Sequence, residues 1–495
     1  MNTSSRTLPW LLALLVVVAF AFQGTRGIWE PDEGRYSSAG LNMHESGDWV
    51  IPTVDGEHPH LTKPPMTYWA LASSFALLGH NEWAARLPSA LAFIGTGLFV
   101  FGLGRRLCPT RPWLPAVVWA LSLAPVAASN IVSTDPLLAF FETAAMFAFV
   151  EAWSRSGTDA RRWYVLMWLG WGLAFLTKGP PGLLPLLGMI VFLAFHDRAR
   201  LRALFTPVGL LLFALVAFSW FGVVIGQDPD RLNYFLGYEV RDRIFTDAHK
   251  RNSQWYGAFA VYLPMLLLGT MPWLVFALRA GGGIRPSWAT ARSALRERQP
   301  QALLLACWLL VPLLIFCLAR SRLQLYILPL FVPLALIMAR PLASWPGLEG
   351  RRLTVTLAIT LAAMVALKGV LAYVPSDRDA RALARQLEQI MDPHDVDEIV
   401  FVGMRPFYGL NVYLDKRVEG VDLGERRFEY SKFVAHETLC QELATRERAV
   451  YGIKQHNAGK FIGAAERCGW TGTPVGSVYA DGARIEFFLA RPRAN

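Results

Sequence analysis

The stretch Leu8-Pro-Trp-Leu-Leu-Ala-Leu-Leu-Val-Val-Val-Ala-Phe-Ala-Phe22 is apolar throughout, and Trp29-Glu-Pro-Asp-Glu-Gly-Arg-Tyr36, with four charges, follows shortly after it. An apolar run of this kind is typical of a membrane-spanning helix. A cleaved signal peptide would end in a small-x-small site, whereas Phe22-Gln-Gly-Thr-Arg26 follows here, so we predict a retained first helix. The charges therefore lie at one membrane surface, and the rest of the chain must decide which one.

Composition places the chain among integral membrane proteins. Of its 495 residues, 54% are hydrophobic, 13% aromatic and only 17% charged, and the mean hydropathy is +0.32. This balance leaves too little polar surface for an ordinary soluble protein. We therefore predict a polytopic α-helical membrane protein.

Apolar segments of spanning length recur through residues 1–374, which we predict to form the membrane module. A spanning helix needs about 17 to 25 residues, and about eleven segments qualify. After the first, they lie near 85–104, 113–130, 136–153, 163–177, 181–195, 206–226, 258–278, 302–319, 324–339 and 353–374. The segment 64–79 is shorter and aromatic, so we predict a helix lying partly in the membrane interface.

Positive charge decides the orientation, because short loops rich in Lys and Arg stay in the cytoplasm. Every second loop is basic, and its arginines are Arg105, Arg106, Arg111, Arg155, Arg161, Arg162, Arg198, Arg200, Arg202, Arg279, Arg285, Arg292, Arg296, Arg298, Arg340, Arg351 and Arg352. The pattern predicts a cytoplasmic amino terminus and a first periplasmic loop within residues 27–80. The net charge of +10 follows mostly from this topology and does not indicate a nucleic-acid partner.

The chain changes character after Tyr373, and residues 375–495 are predicted to form a periplasmic domain. Charged residues become frequent, and apolar runs shorten to strand length. Strand-like runs alternate with helical stretches, which is typical of a small α/β domain. The predicted strands are 398–403, 449–453 and 484–490, and the predicted helices are 379–391 and 436–445.

Two alternatives stay open for Cys440 and Cys468 of this domain. An oxidising periplasm permits a disulfide between them, but their separation in sequence says nothing of their distance, so two unpaired thiols fit equally well. Cys108, Cys307 and Cys317 lack metal-ligand spacing, which indicates a packing role.

Two lysines that are predicted to lie at the outer face of the membrane favour a site for an anionic lipid. Lys63 precedes Pro64-Pro65, and Lys178 precedes Gly179-Pro-Pro181. An ammonium beside an apolar helix is favourable only if it faces water, a carboxylate or an anionic ligand. Either lysine alone is more often an interfacial residue than a ligand. Together with Arg243 and Arg322 on the same predicted face, they favour a lipid phosphate site.

Asp32 and Glu33 bring carboxylates to the same face. Adjacent residues of a helix point about 100° apart, so these two side chains are not expected to serve one atom. A carboxylate that neighbouring cations keep ionised accepts a proton from an incoming hydroxyl. We predict that one of the pair is a base and that its neighbour is a structural or metal-binding group.

Motifs in a fixed order resemble a known family. They are Pro31-Asp-Glu-Gly-Arg-Tyr36, Glu45-Ser-Gly-Asp-Trp49, Gly56-Glu57, Lys63-Pro-Pro65, Tyr68-Trp69, Ala85-Arg-Leu-Pro-Ser89, Asp135-Pro136, Leu176-Thr-Lys-Gly-Pro180, Glu239 to Phe245 with His249, and Ser321-Arg-Leu-Gln-Leu-Tyr-Ile-Leu-Pro329. This order is similar to that of bacterial GT-C class glycosyltransferases such as those adding 4-amino-4-deoxy-L-arabinose to lipid A, which are grouped with the protein O-mannosyltransferases. The resemblance covers residues 1–345.

The resemblance implies a GT-C fold, an undecaprenyl-type polyprenyl phosphate sugar donor and inversion at the anomeric carbon. By position, Asp32 matches the essential first-loop aspartate of the family, and Lys63 and Tyr326 match its donor-phosphate contacts. Arg243 matches a basic phosphate-binding residue, and Arg322 replaces a lysine with a similar role. The remaining expected cavity residues are Glu33, Arg35, Tyr36, Asp135, Lys178, Glu239 and His249.

Two departures from the family pattern bear on a divalent metal. Many relatives have a glutamate, thought to help hold the metal, where this chain has Thr62, and often a histidine where it has Val240. A metal cofactor is therefore left open. Glu57, His58 and His60 are candidate substitute ligands, although alternate histidines in a polar loop are more often solvated.

The leading hypothesis is a transferase of the bacterial inner membrane acting on lipid A or another envelope glycolipid, with a protein hydroxyl as the alternative acceptor. A flippase for lipid-linked sugars predicts charges in the middle of spans and an internal repeat. Neither feature is clear in this sequence. The main ionisable residues inside the predicted spans are Glu142 and Lys368. A membrane anchor for the outer domain would need only one or two spans.

Overall fold

A computed structural model describes residues 3–237, 251–281, 299–423, 438–445 and 447–493. The chain divides into two compact units. Unit 1 comprises Met1–Ala21 and Ser89–Leu371, and unit 2 comprises Phe22–Pro88 and Ala372–Asn495. The loop that was predicted to be the first periplasmic one thus groups with the carboxy-terminal residues, which no pattern in the sequence indicated.

Helices and one sheet build the described residues. Helices longer than four residues are α1 (Thr3–Phe20), α2 (Asp32–Ser46), α3 (Met66–Leu78), α4 (Glu82–Leu107), α5 (Leu114–Ala120), α6 (Leu123–Ala128), α7 (Asp135–Trp153), α8 (Gly157–Lys178), α9 (Leu184–His196), α10 (Arg198–Leu204), α11 (Pro207–Gln227), α12 (Gly257–Gly269), α13 (Trp273–Ala280), α14 (Pro300–Leu318), α15 (Phe331–Ala343), α16 (Gly350–Tyr373), α17 (Ala380–Ile390), α18 (Leu410–Leu414), α19 (Leu439–Thr445) and α20 (Ala458–Arg467). The strands are β1 (Glu398–Val402), β2 (Arg417–Val421), β3 (Ala449–Lys454), β4 (Trp470–Ala480) and β5 (Ala483–Pro492).

Membrane-spanning helices dominate unit 1. Among the described residues, six helices are long and apolar enough to cross a membrane, or seven if the pair α12 and α13, bent by 76°, forms one span. Four other predicted spans also coincide with helices. They are α1, the pair α5 and α6, the helix α8, which contains charged residues, and α9 together with the 3₁₀ turn that precedes it. Several spans are thus confirmed, and the total of about eleven stays a prediction.

Helices α7 and α8 form an antiparallel hairpin in unit 1. Only three residues connect them, and Asp135 at the start of α7 pairs with Lys178 at the end of α8. A Cβ atom placed on Gly170 would lie 2.9 Å from the Cβ of Ala145, so these small residues permit a close approach of the helices. Nineteen residues of α7 rise about 28 Å, which is close to the thickness of the hydrocarbon core of a bilayer.

Lys368 has a structural partner within unit 1. Its ammonium donates hydrogen bonds to the carbonyls of Val18 at 2.7 Å and Ala19 at 3.3 Å, and to Ser129 Oγ at 3.3 Å. The last carbonyls of a helix lack intrahelical partners, and a cation there also meets the favourable end of the helix dipole. This interior lysine therefore completes the end of α1.

Unit 2 contains a five-stranded sheet in the order β2-β1-β3-β5-β4. Strand β1 pairs in parallel with β2 and β3, whereas β5 pairs antiparallel with β3 and β4. All five residues of β1 are buried, as expected for a central strand that is covered on both faces. The predicted strands at 398–403, 449–453 and 484–490 are confirmed, but β2 and β4, interrupted by glycine or proline, were not predicted.

Helices cover both faces of this sheet. On one face, Leu383 and Leu387 of α17 pack in a core with Ile399, Phe401 and Phe487. On the other face, Phe461 of α20 packs in a second core, which also includes Val400, Val402, Tyr451 and Phe488. The predicted α/β character of these residues is confirmed.

The loop between α1 and α4 joins the α/β residues through backbone hydrogen bonds inside unit 2. The N–H of Glu30 donates to the carbonyl of Arg378 at 2.9 Å, and the N–H of Ala380 donates to the carbonyl of Ile28 at 2.9 Å. Asn411 of α18 donates to Ser38 Oγ at 3.0 Å and to Asn42 Oδ1 at 2.7 Å. The loop and the sheet are therefore parts of one folded unit.

Cys440 and Cys468 form a disulfide, which settles the open alternative. Cys440 lies in α19, Cys468 follows α20, and their Cα atoms are 5.4 Å apart. Cys108, Cys307 and Cys317 are free thiols.

Removal of this disulfide should destabilise unit 2. The bridge joins residues 28 positions apart, and the chain-entropy estimate for such a loop is about 3 to 4 kcal/mol. We expect Cys440→Ala/Cys468→Ala to unfold at lower denaturant concentration, with no further response to reductant. If the wild-type protein unfolds at the same denaturant concentration with and without reductant, the disulfide has no stabilising role.

Candidate active site

Unit 1 holds a buried ion pair between α7 and α8. The Lys178 ammonium donates to the Asp135 carboxylate, and the two side chains are only 7% and 8% exposed. The Lys178 Nζ also lies 4.3 Å from the centroid of the Tyr326 ring, a cation–π geometry. The structure thus brings three of the predicted site residues together in one unit.

Local sequence explains why both charges stand at helix ends. Asp135 begins α7, with Pro136 beside it, where a carboxylate meets the positive end of the helix dipole. The backbone N–H of Asp135 donates to Ser133 Oγ at 3.2 Å. Helix α8 ends at Lys178 because Gly179 has a φ of +72° and Pro180 cannot continue the helix.

Two further polar side chains belong to the surroundings of this pair. Glu142 is 3% exposed and has Lys178 and Asp135 as electrostatic neighbours; seven residues after Asp135, it lies on the same face of α7. Tyr262 is 2% exposed, and its hydroxyl has no hydrogen-bond partner among the described residues. Sequence reasoning missed Tyr262, whose signal was a tyrosine inside an otherwise apolar helix.

Arg322 is buried and bound to backbone carbonyls. Its terminal nitrogens donate to the carbonyls of Asn252 at 2.8 Å, Gln254 at 2.9 Å and Cys317 at 3.1 Å. These contacts hold the segment that precedes α12. The predicted role of Arg322 in binding a donor phosphate stays a prediction, while its positioning of residues 252–254 is visible.

In unit 2, Asp32 and Glu33 stand in the first turn of α2 and have different surroundings. The Asp32 side chain is 57% exposed and forms an ion pair with Arg35 at 2.6 Å. The Arg35 guanidinium lies 5.3 Å from the centre of the Tyr36 ring. Asp32 therefore keeps a carboxylate oxygen accessible, while the Arg35 guanidinium holds the side chain in place.

Glu33 is instead the centre of a buried arginine clamp. Its carboxylate accepts hydrogen bonds from Arg26 at 2.6 and 2.7 Å, from Arg86 at 3.2 Å and from the Trp29 N–H at 3.0 Å. Burial by itself would raise the pKa of Glu33, but the guanidiniums of Arg86 and Arg26 lower it to about 2. This geometry indicates that Glu33 has a structural role. A base and a structural or metal-binding group were the roles predicted for Asp32 and Glu33.

Arg86 shapes the chain leading into α2. Its guanidinium also donates to the carbonyls of Gln23 at 3.0 Å, Arg26 at 2.8 Å and Gly27 at 2.7 Å. The side chain is fully buried. The sequence showed Arg86 only as part of a motif, because nothing in the spacing identifies which carbonyls a distant arginine will meet.

The first-loop histidines take separate partners. His58 Nδ1 lies 3.0 Å from an Asp55 oxygen, His60 Nε2 lies 2.8 Å from Thr62 Oγ1, and Glu57 pairs with Arg417. The three candidate substitute ligands thus do not converge. The clusters with metal-ligand spacing in the described part of the chain consist of other residues, Glu45 with His80 and Asp415, and Glu398 with Glu419 and Glu442.

Lys63 lies close to this histidine network. It is half-buried, and its ammonium donates to the Thr62 carbonyl at 2.7 Å. Burial, together with the positive charges of Arg35 and Lys63, lowers the pKa of His60 well below its usual value. His60 is therefore neutral beside two cations that were both predicted as site residues.

Glu30 is a buried carboxyl that sequence reasoning did not single out. It is 8% exposed, and one oxygen accepts the Gly409 N–H at 2.5 Å within unit 2. Burial raises the pKa of Glu30 to about 8, although the Gly409 N–H favours the ionised form. A glutamate at the edge of a charged motif gives no signal of such burial.

Three predicted site residues, Glu239, Arg243 and His249, lie outside the described residues. Their roles stay predictions.

The architecture defines the class: the fold is that of the GT-C membrane glycosyltransferases. The structure of ArnT from Cupriavidus metallidurans bound to undecaprenyl phosphate matches with a TM-score of 0.74, covering 99% of this chain and 98% of that chain. The two sequences are 20% identical, so this likeness shows a common fold alone.

Sequence comparison identifies the particular proteins to which the chain is similar. The undecaprenyl phosphate-alpha-4-amino-4-deoxy-L-arabinose arabinosyl transferase of Pectobacterium carotovorum subsp. carotovorum is 32% identical over 334 residues, 66% of this chain and 58% of that protein. The corresponding transferase 2 of Sodalis glossinidius is 33% identical over 344 residues, 68% of this chain and 59% of that protein. The chain thus spans less than two thirds of the length of these curated relatives.

A family match covers part of the predicted membrane module. Residues 62–222 match the family described as dolichyl-phosphate-mannose-protein mannosyltransferase. Together with the curated relatives, this match confirms the resemblance predicted from the motifs.

Loss of the Lys178 charge should destabilise unit 1, because it leaves Asp135 buried without its partner. We expect Lys178→Met to lose about 3 to 5 kcal/mol of unfolding free energy. Asp135→Asn/Lys178→Met should recover most of that loss, since no lone charge remains. Thermal unfolding in detergent micelles measures both. Equal destabilisation by the single and double variants would show that the ion pair is not the cause.

Stability should fall as pH rises, in part because of Glu30. Its pKa is about 8 in the folded protein against an ordinary 4.5, so between these values the folded state holds the extra proton. One such group lowers the unfolding free energy by at most about 1.4 kcal/mol per pH unit in that window. The loss is complete above the folded pKa.

Glu30→Gln should flatten this slope while keeping an oxygen for the Gly409 N–H. Melting curves across the pH window measure the effect, and Glu388→Gln, at an exposed carboxyl of α17, is the control. An unchanged slope in Glu30→Gln would rule out this assignment.

Proposed function

We propose that the chain is a membrane glycosyltransferase that moves a sugar from a polyprenyl phosphate donor to an envelope acceptor, with inversion. The observation that carries the proposal is the 32% identity over 334 residues to a protein named as an undecaprenyl phosphate-linked arabinosyl transferase. The match in fold to a protein bound to undecaprenyl phosphate supports the same class of donor.

Asp32 is the proposed base. Its exposed carboxylate, paired with Arg35, is available to take the proton of an acceptor hydroxyl. The hydroxyl oxygen then forms a bond to the anomeric carbon from the side opposite to the phosphate. The bond between that carbon and the phosphate oxygen breaks, and the polyprenyl phosphate leaves with the electron pair.

The leaving phosphate carries negative charge, so cationic and hydroxyl donors are expected to bind it. We assign this role to Lys63, Tyr326, Arg243 and Arg322. Asp135 offsets the charge of Lys178, whose contact with the Tyr326 ring supports a role in orienting that tyrosine. Glu33 supports α2 through its arginine clamp. No step in this scheme requires a metal, and the separate partners of Glu57, His58 and His60 do not support one there.

We place the protein in the bacterial inner membrane with about eleven spans, a cytoplasmic amino terminus and the carboxy-terminal α/β residues in the periplasm. The alternation of basic loops supports this orientation. The disulfide between Cys440 and Cys468 supports an oxidising compartment for the carboxy-terminal residues.

Lipid A or another envelope glycolipid is the acceptor that we propose. The match of residues 62–222 to a protein mannosyltransferase family favours a protein hydroxyl as the second candidate. Mass spectrometry of envelope lipids and envelope proteins from cells with and without the gene distinguishes the two acceptors.

Asp32→Asn should reduce sugar transfer by about 10²- to 10⁴-fold, the usual contribution of a general base. The purified variant should retain the lipid donor, because Asp32 is assigned to proton transfer. Transfer to lipid A and donor retention are measured on the same preparation.

Asp48→Asn is the matched control, since Asp48 is exposed in the same loop and accepts only the local N–H groups of Val50 and Ile51 among the described contacts. Full sugar transfer by Asp32→Asn would refute the proposal that Asp32 is the base. Translocation of a lipid-linked sugar across proteoliposomes without any transfer would identify a flippase instead.

A further inference from the structure

A basic cavity lies at the end of the α7–α8 hairpin opposite to Asp135 and Lys178. It has a volume of about 380 Å³, within the range of ligand sites. Its polar lining consists of Arg155, Ser156, Arg161, Tyr164, Arg200 and Thr206. The 22 residues of α8 rise about 33 Å, so the cavity is remote from the ion pair at the other end of this helix.

Two long helices begin at this cavity. Ser156 is the N-cap of α8 and Thr206 is the N-cap of α11, and neither side chain makes a capping hydrogen bond. The first N–H groups of a helix lack intrahelical partners and carry partial positive charge. Two such ends lining one cavity favour an anionic ligand.

Thr206 provides an independent sign of a missing partner. The residue is 9% exposed, and its hydroxyl has no hydrogen-bond partner in the described part of the chain. A buried hydroxyl without a partner is unfavourable, because it has lost its hydrogen bonds to water and gained none in return. A ligand oxygen in the cavity would satisfy it.

Positive charge exceeds negative charge around the cavity, even though Asp159 stands in the first turn of α8. Arg155 and Arg106 share the single carboxylate of Glu151, and Arg200 pairs with Asp197. Arg161 is exposed and has no ion pair among the described residues. An adjoining cavity of about 310 Å³ is lined by Arg105 and Arg106 as well as Arg155. Topology alone accounts for arginines in this loop, but not for a cavity that combines them with two uncapped helix ends.

We propose that this cavity binds the phosphodiester headgroup of an anionic phospholipid. A lipid fits better than a soluble phosphate because an apolar surface begins next to the cavity. Val208, Leu211 and Leu215 of α11 are 53%, 62% and 60% exposed, and their spacing places them along one face. Acyl chains would lie along this face while the phosphate meets Arg161, Thr206 and the helix ends. Basic pockets between spanning helices are typical sites for such headgroups.

Native mass spectrometry of the full chain in detergent micelles tests this proposal, with phosphatidylglycerol titrated against phosphatidylcholine. We expect preferential retention of phosphatidylglycerol. Arg161→Gln should weaken that retention about fivefold, the usual effect of one basic residue near an anionic lipid. Thr206→Val, which removes only the hydroxyl, should also weaken it, and Arg161→Lys should recover most of the binding.

Arg162→Gln is the matched control, because Arg162 is an exposed neighbour that does not line the cavity. An unchanged melting temperature identifies variants that fold normally. Equal retention of the two lipids, or equal losses in Arg161→Gln and Arg162→Gln, would overturn the proposal. Displacement of phosphatidylglycerol by inorganic phosphate would assign the cavity to a soluble anion and overturn the proposal of a lipid ligand. Because the readout is binding, the result does not depend on sugar transfer.

Discussion

In hydrocarbon, every backbone N–H and C=O group must find its partner within the protein, and the rest of unit 1 depends on this constraint. Helices meet the constraint along their length but leave unsatisfied groups at each end. The helix ends of this chain differ in whether a side chain satisfies these groups. Lys368 completes the last carbonyls of α1, whereas α8 and α11 begin with N-caps that make no capping bond. Helix ends are thus where polar side chains collect, and where sites become possible.

The α7–α8 hairpin shows how one pair of helices carries two different chemical environments. At one end, a carboxylate and an ammonium neutralise each other under an aromatic ring. At the other end, arginines outnumber the nearby carboxylates. The intervening residues are mostly apolar, and Gly170 against Ala145 keeps the helices close. The 22 residues of α8 separate the two environments by about 33 Å.

Unit 2 depends on charges of a different kind. Glu33 is buried, and two arginines keep it ionised, whereas Glu30 is buried and meets a single N–H, so burial raises its pKa to about 8. Three residues apart in one motif, these carboxyls have opposite protonation preferences because their partners differ. Asp32 lies between them and stays exposed. The motif therefore places its three carboxyls in three different environments.

The amino-acid sequence determined the membrane class, the positions of the apolar helices and three strands of the sheet, because composition and periodicity are local properties. The resemblance to GT-C glycosyltransferases rests instead on motifs in a fixed order. The resemblance placed Asp135, Lys178 and Tyr326 among the expected site residues, and the structure brings these three together. Only the tertiary structure decided that Cys440 pairs with Cys468, that Arg86 holds the loop before α2, and that this loop folds with the carboxy-terminal sheet. These are contacts between distant residues, which depend on how the chain folds back on itself and leave no periodic signal in the sequence.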